Sequence, residues 1–139
     1  MKIRLMRESD INNSFVECLE QLGKTQTKLT DMHAIYKSRK KSGIKTFVVE
    51  VAGDILATAS LIIEPKFRYT EKCGHIEDVC VHKNYQNIGI GKKLINHLIQ
   101  YGKKKGCYKL ILNCNDNTLS FYKKLNYSLN GHSLRLDLI

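Results

Sequence analysis

The chain has 139 residues, 42% of them hydrophobic and 26% charged, which is enough for one domain with a real core and too little for two. No apolar run approaches the roughly 18–20 residues of a membrane span, and the start, MKIRLMRESD, lacks the apolar stretch of a secretory signal, so a soluble, cytoplasmic protein is expected. The formal net charge of +10 invites a nucleic-acid reading, but no groove-reading motif accompanies it, and anionic small molecules are the better match for the charge.

In chain order, Lys2 to Met6 alternates basic and apolar residues as a short strand does. Ser9 or Asp10 is the expected cap of a first helix, whose inner face holds Ile11, Phe15, Cys18, Leu19 and Leu22 while Glu17 points away. Gly23 ends it. A second helix is expected with Thr30 or Asp31 as its cap and Met32, Ile35 and Tyr36 inside. It closes in the basic run Lys37, Arg39, Lys40 and Lys41, where cations suit the helix dipole. Thr46–Val51 and Ile55–Glu64 read as a hairpin turning at Gly53-Asp54, and Pro65 marks where its pairing stops. A polar, partly aromatic loop, Lys66 to Lys72, leads to a strand over Gly74–His82. Apolar residues at helical spacing (Ile90, Leu94, Ile95, Leu98, Ile99) then mark a long helix to Lys105. Tyr108–Cys114 is another strand, Leu119 to Leu125 a short helix, and Ser133–Ile139 a last strand with Leu134, Leu136 and Leu138 on one face. The expected fold is a single α/β domain over residues 1–139, a mixed, mostly antiparallel sheet with helices on both faces.

The stretch richest in chemistry is Gly74–Gly91, GHIEDVCVHKNYQNIGIG. A strand, a glycine turn and a helix N-terminus form an anion site, because the first N–H groups of a helix lack internal partners. Gln86-Asn87-Ile88-Gly89-Ile90-Gly91 fits Q-x-x-G-x-G; backbone N–H groups approach a pyrophosphate closely only where side chains are absent. It is neither a Walker A loop, which needs G-x-x-x-x-G-K-[ST], nor a dinucleotide fingerprint, which needs a third glycine. Two acids, Glu77 and Asp78, sit just upstream. Strand alternation places Glu77 with His75, Val79 and Val81, and Asp78 on the opposite face with Cys80 and His82. The segment therefore reads as a seat for a phosphate-bearing cosubstrate beside a carboxylate that handles a proton.

The five cysteines show no C-x-x-C spacing, and Cys80 and Cys114 read as buried thiols. The five histidines have no metal-ligand spacing either, so no metal is expected, although His75 lies within the motif.

The order of these motifs resembles the GNAT family of N-acetyltransferases, and most closely its eukaryotic-type glucosamine-6-phosphate branch. GHIEDV (Gly74–Val79), the glycine turn with Lys92, GCYKLIL (Gly106–Leu112), N-x-x-FYKK (Asn117, Phe121–Lys124) and EPKF (Glu64–Phe67) carry the resemblance. It implies acetyl-CoA as cosubstrate, bound where two parallel strands splay apart. Val79, Cys80 and Val81 would face the pantetheine, Gln86 to Lys92 (Gln86, Asn87, Ile88, Gly89, Ile90, Gly91, Lys92) the pyrophosphate, with Asn117 and Tyr122 completing the donor site. It implies Glu77 as the base and Tyr122 as the donor to the departing thiolate, with a backbone N–H near Val79 polarising the thioester. The acceptor would be D-glucosamine 6-phosphate, on a route to UDP-N-acetylglucosamine, contacted by Lys66, Phe67, Arg68, Tyr69, Glu77, Asp78, Asn113 and Arg135. A homodimer is also implied. Two positions depart from the pattern: Asn113 replaces an acid, and Asp137 stands where the family has an arginine, with Arg135 two residues earlier. Acetylation of another amine, such as a protein lysine or a polyamine, stays open, as does a non-catalytic CoA- or nucleic-acid-binding module.

Overall fold

A computed structural model describes all residues, Met1–Ile139. Strands β1 (Lys2–Leu5), β2 (Lys45–Val51), β3 (Asp54–Pro65), β4 (Lys72–Val81) and β5 (Cys107–Ile111) form one sheet in sequential order. Every neighbouring pair is antiparallel except β4–β5, which is parallel. Helices α1 (Asn13–Leu19) and α2 (Leu29–Lys41) lie on one face, and α3 (Ile90–Lys104) packs on the other, with α4 (Asp116–Lys123) beside it. The helices on both faces and the mixed sheet agree with the expectation from the sequence. No helix is long and apolar enough to cross a membrane.

The larger core lies under α3, where Leu94, Ile95 and Leu98 are fully buried against Phe47, Val49, Ala57, Ala59 and Leu61 of β2 and β3. Burying side chains of this size stabilises the fold by roughly 1.5–3 kcal/mol each before entropy is subtracted. Under α1 a smaller cluster joins Phe15 and Cys18 to Val48, Ile55 and Cys80. Gly74 pairs with Leu110 across the parallel β4–β5 ladder, and a Cβ there would come within 2.3 Å of Leu110 Cδ2 and 3.1 Å of Leu61 Cδ1. The glycine is needed for that close approach, which no bulkier residue allows without moving the leucines.

Several local expectations are corrected. Asn12, not Ser9 or Asp10, caps α1, its Oδ1 accepting the Phe15 N–H at 3.0 Å. Asp10 is instead drawn into a buried pair with Arg4, and also accepts the Arg7 N–H at 2.7 Å across a 3-10 turn. Neither Thr30 nor Asp31 caps α2, which starts at Leu29 without a side-chain cap. The hairpin turns on Ala52-Gly53, both at positive φ, rather than on Gly53-Asp54. Cys80 is buried as expected, but Cys114 is exposed, because β5 ends at Ile111 before reaching it. The last expected strand is absent: the chain after α4 pairs with no strand, and Leu134, Leu136 and Leu138 are each more than 80% exposed. An alternating pattern becomes a strand only beside a free edge, and the tail passes β5 without pairing to it.

The Arg4–Asp10 pair closes the β1–α1 connection with contacts of 2.7 and 2.8 Å. Burial alone raises the Asp10 carboxyl; the Arg4 guanidinium and the Arg7 N–H outweigh it and hold the group below the usual carboxylate range. Its folded value lies below its unfolded value. The contribution is therefore complete above the unfolded value of about 3.9 and is lost as pH falls through the folded one. Asp10→Ala is expected to lower the unfolding free energy at pH 7 by about 2 kcal/mol. In urea titrations its gap to the parent should narrow below about pH 4; equal stability at pH 7 would contradict this role.

Candidate active site

Two features of β4 build the site. The first is where it parts from β5. Their parallel pairing runs from Lys72↔Cys107 to His75↔Ile111 and stops, although β4 continues to Val81. Beyond His75 the two strands splay, leaving β4 backbone groups on that side without a strand partner. The splay that the sequence resemblance implied is thus present in this chain.

The second is a bulge. Ser60 pairs with Glu77 and Thr58 with Cys80, so Asp78 and Val79 together oppose Ala59. Asp78 has φ +51°, a left-handed conformation that Asp tolerates better than most residues. This extra residue corrects the expected strand faces. Val79 and Val81 pack with Ile76 toward α3, whereas Cys80 packs toward α1. Glu77, across from Ser60, lies on the other side from Val79 and Val81. Simple alternation holds up to Glu77 and is reset by the bulge.

The two acids occupy separate cavities. Glu77 lines one of about 800 Å³ together with His75, Asn113, Cys114 and Tyr122, walled by the segment from Tyr127 to Ser133. Asp78 lines another of about 710 Å³ beneath α1 and α2, with Thr58, Ser60 and Arg39. There Arg39 Nη2 donates to Ser60 Oγ at 2.6 Å and to Thr46 Oγ1 at 3.2 Å. The sequence places Arg39 in the basic run that closes the second helix, with no signal of this polar contact. The sequence signal for this polar lining is Thr58 and Ser60 at alternate positions inside the apolar run ILATASLII.

Tyr122 is 7% exposed on α4, with ring edges against Phe121 and Tyr127 at 4.9 and 5.8 Å between centroids. Its hydroxyl takes part in no hydrogen bond within the chain and is not among the sealed, unsatisfied polar atoms, of which Tyr127 Oη is one. Burial, with a smaller contribution from Cys114, pushes its phenol up to about 12. It therefore stays protonated across the neutral range and is a hydrogen-bond donor there.

Past Val81 the chain makes a 3-10 turn over Lys83–Tyr85, followed by Asn87 at φ +63° and Gly89 at φ +91°. Gly89 offers α3 no side-chain cap, and the first bond into the helix is Lys93 N–H to Gly89 O. The N–H groups of Ile90, Gly91 and Lys92 are left for an outside acceptor. Ile88 is exposed on the turn and Lys92 beside it, while Gly91 lies under Phe121, whose Cζ would be 3.4 Å from an added Cβ. The turn thus has the geometry of an anion cradle. Asn117 is exposed in the first turn of α4, which Asn115 caps.

The remaining expected acceptor residues are not gathered here. Lys66 pairs with Glu64 at 2.6 Å, and Glu64 also holds His75 at 3.3 Å. Phe67 is fully exposed, and Arg68 lies over the Tyr69 ring, which packs on Tyr108 at 4.7 Å. This loop adjoins the start of β4, and the run from Lys72 to the bulge covers ~20 Å. Arg135 is exposed in the tail and bonds Asp137 at 2.6 Å. No group of three or more His, Cys, Asp or Glu residues is placed to hold a metal ion.

Comparison with known proteins agrees with this geometry. The family model described as "Acetyltransferase (GNAT) family" matches residues 9–127. A glucosamine 6-phosphate N-acetyltransferase from Trypanosoma brucei brucei is 38% identical, over 99% of this chain and 96% of its own length. A second, from Dictyostelium discoideum, is 36% identical over 93% of this chain and 85% of its own. The crystal structure of the Arabidopsis thaliana glucosamine-6-phosphate N-acetyltransferase superposes with a TM-score of 0.91 at 33% identity, covering 99% of this chain and 98% of that one. With its splayed strand pair, glycine cradle and full-length similarity, the chain belongs to the acetyltransferase (GNAT) family.

Proposed function

We propose that the protein transfers the acetyl group of acetyl-CoA to the amine of D-glucosamine 6-phosphate, giving N-acetyl-D-glucosamine 6-phosphate. The observation that carries this reading is the shared cavity of Glu77 and Tyr122 at the mouth of the β4–β5 splay, in a chain similar along its length to enzymes of that name. The anion cradle at Gln86–Lys92 would hold the pyrophosphate of the donor, and the β4 edge from Val79 to Val81 its pantetheine. The cytoplasmic setting and the route to UDP-N-acetylglucosamine belong to the same proposal.

The chemistry follows from the placement of these groups. An amine attacks only when neutral, and Glu77, or water it holds, accepts the proton that the attacking nitrogen gives up. The new C–N bond forms a tetrahedral intermediate, whose oxyanion would be met by a backbone N–H at the bulge. The C–S bond then breaks. A phenol of about 12 is a weaker acid than an alkyl thiol of about 8.5. Tyr122 therefore stabilises the departing thiolate by hydrogen bonding, and the proton released from nitrogen ends on sulfur. Atoms balance as amide plus thiol, with no acyl-enzyme.

Two observations favour a second reading, acetylation of a different amine. Asn113 cannot balance an ammonium charge, and Arg135 is tied to Asp137 rather than held at the cavity. The tail bears on this. Its leucines alternate and are exposed, which supports a homodimer in which a second copy covers them and brings further residues to the acceptor site.

Both parts are open to test. Thiol release from acetyl-CoA should be fastest with glucosamine 6-phosphate in a panel that includes unphosphorylated glucosamine, spermidine and a lysine peptide. Turnover of spermidine or the peptide, with none of the sugar phosphate, would replace the proposed acceptor. Sedimentation at micromolar concentration should give twice the 16.0 kDa chain mass; a particle of one chain mass would contradict the dimer.

A further inference from the structure

The cradle is stitched to α1 by side chains that no step of the proposed chemistry uses. His82, 5% exposed at the end of β4, is the hub. Its Nδ1 accepts the Asn84 N–H at 3.2 Å, which leaves its proton on Nε2, and Nε2 donates to Glu17 Oε2 at 2.5 Å. The His82 backbone N–H donates to Leu56 O and its carbonyl accepts from Tyr85 N–H, both at 2.8 Å. The ring therefore anchors the 3-10 turn that starts the cradle. Four residues after Glu17, on the same side of α1 and just past its end, Gln21 accepts from Gln86 Nε2 at 3.2 Å. The same Gln86 amide donates to Val81 O at 3.0 Å, satisfying a carbonyl in the part of β4 that has no β5 partner.

Glu17 and Gln21 thus hold the chain on both sides of Lys83–Tyr85, immediately before the left-handed residues Asn87 and Gly89. Neither belongs to the catalytic cavity or to the cradle, and both are exposed, Glu17 on a helix whose buried residues are Phe15 and Cys18 and Gln21 just past its end. A surface carboxylate directed onto a buried imidazole, with an amide one turn on reaching the same loop, does little for packing. It does fix the path of the backbone whose N–H groups face the ligand. We infer that Glu17 and Gln21 are positioning residues, which preorganise the turn for the pyrophosphate of the donor and so set affinity for the nucleotide end of acetyl-CoA. This rests on the reading of Gln86–Lys92 as the pyrophosphate cradle.

The test compares two donors, acetyl-CoA and S-acetylpantetheine, which lacks the pyrophosphate and nucleotide. The parent enzyme should show the lower KM for acetyl-CoA. Glu17→Ala and Gln21→Ala should each raise the KM for acetyl-CoA, Glu17→Ala by about tenfold, with kcat within about twofold and the KM for S-acetylpantetheine unchanged. A general structural role would instead lower kcat with both donors, and that result overturns the inference. So does an unchanged KM for acetyl-CoA in both variants while the parent still prefers it. A parent that does not distinguish the two donors would overturn the cradle reading itself, and the inference with it.

Discussion

The parting of β4 from β5 after His75 is the constraint on which the rest of the molecule depends. A parallel pair gains its hydrogen bonds along its whole shared length, and here β4 gives that up for the stretch from Ile76 to Val81. The cost is met on the α3 face. Ile76, Val79 and Val81 pack into the same cluster as Leu94, Leu98 and Tyr122, and Phe121 lies across Gly91 and Val81. The aromatic pair of α4, Phe121 and Tyr122, thus belongs to the packing that backs this unpaired stretch. Tyr122, one of that pair, is also the residue whose protonated hydroxyl has no partner within the chain.

The bulge at Asp78 acts together with the splay. Were β4 a regular strand beyond Glu77, Val79 and Val81 would share the face of Glu77 and be turned away from the α3 core. The extra residue lets the strand bury valines toward α3 on one side of the bulge and keep a carboxylate at the cavity on the other. It also separates the two acids into different surroundings: Glu77 lines one cavity with Asn113 and Tyr122, Asp78 another with Thr58, Ser60 and Arg39. One backbone irregularity therefore supplies two distinct polar environments. On the opposite flank, Glu17 and Gln21 extend the same design by fixing the loop that follows β4.

Much of this was legible in the residues because it is local. The glycine turn, the helical spacing of Ile90, Leu94, Ile95 and Leu98, and the order of the first five strands each follow from neighbours in sequence, and these are found. The bulge was not legible, since nothing in GHIEDVCV announces which residue takes a positive φ; Asp permits it without requiring it. Asp10 was read as a cap because its type suits one, whereas a cation on β1 claims it. His82 and Glu17 lie 65 residues apart and meet only through the fold. The alternating tail, Ser133–Ile139, has the pattern of a strand, but it does not pair with β5, the edge strand of the sheet.

In the proposed reaction a protonated phenol at the mouth of the splay stabilises the departing thiolate. The most direct measurement is the turnover of Tyr122→Phe at saturating acceptor, followed across a series of acetyl thioesters whose thiols differ in acidity. A fall in kcat of about 100-fold is expected with acetyl-CoA, with the KM for acetyl-CoA within about threefold. The deficit should shrink as the leaving thiol becomes more acidic and needs the donor less. A variant with parental kcat, or one whose deficit is the same for every thioester, would contradict that role.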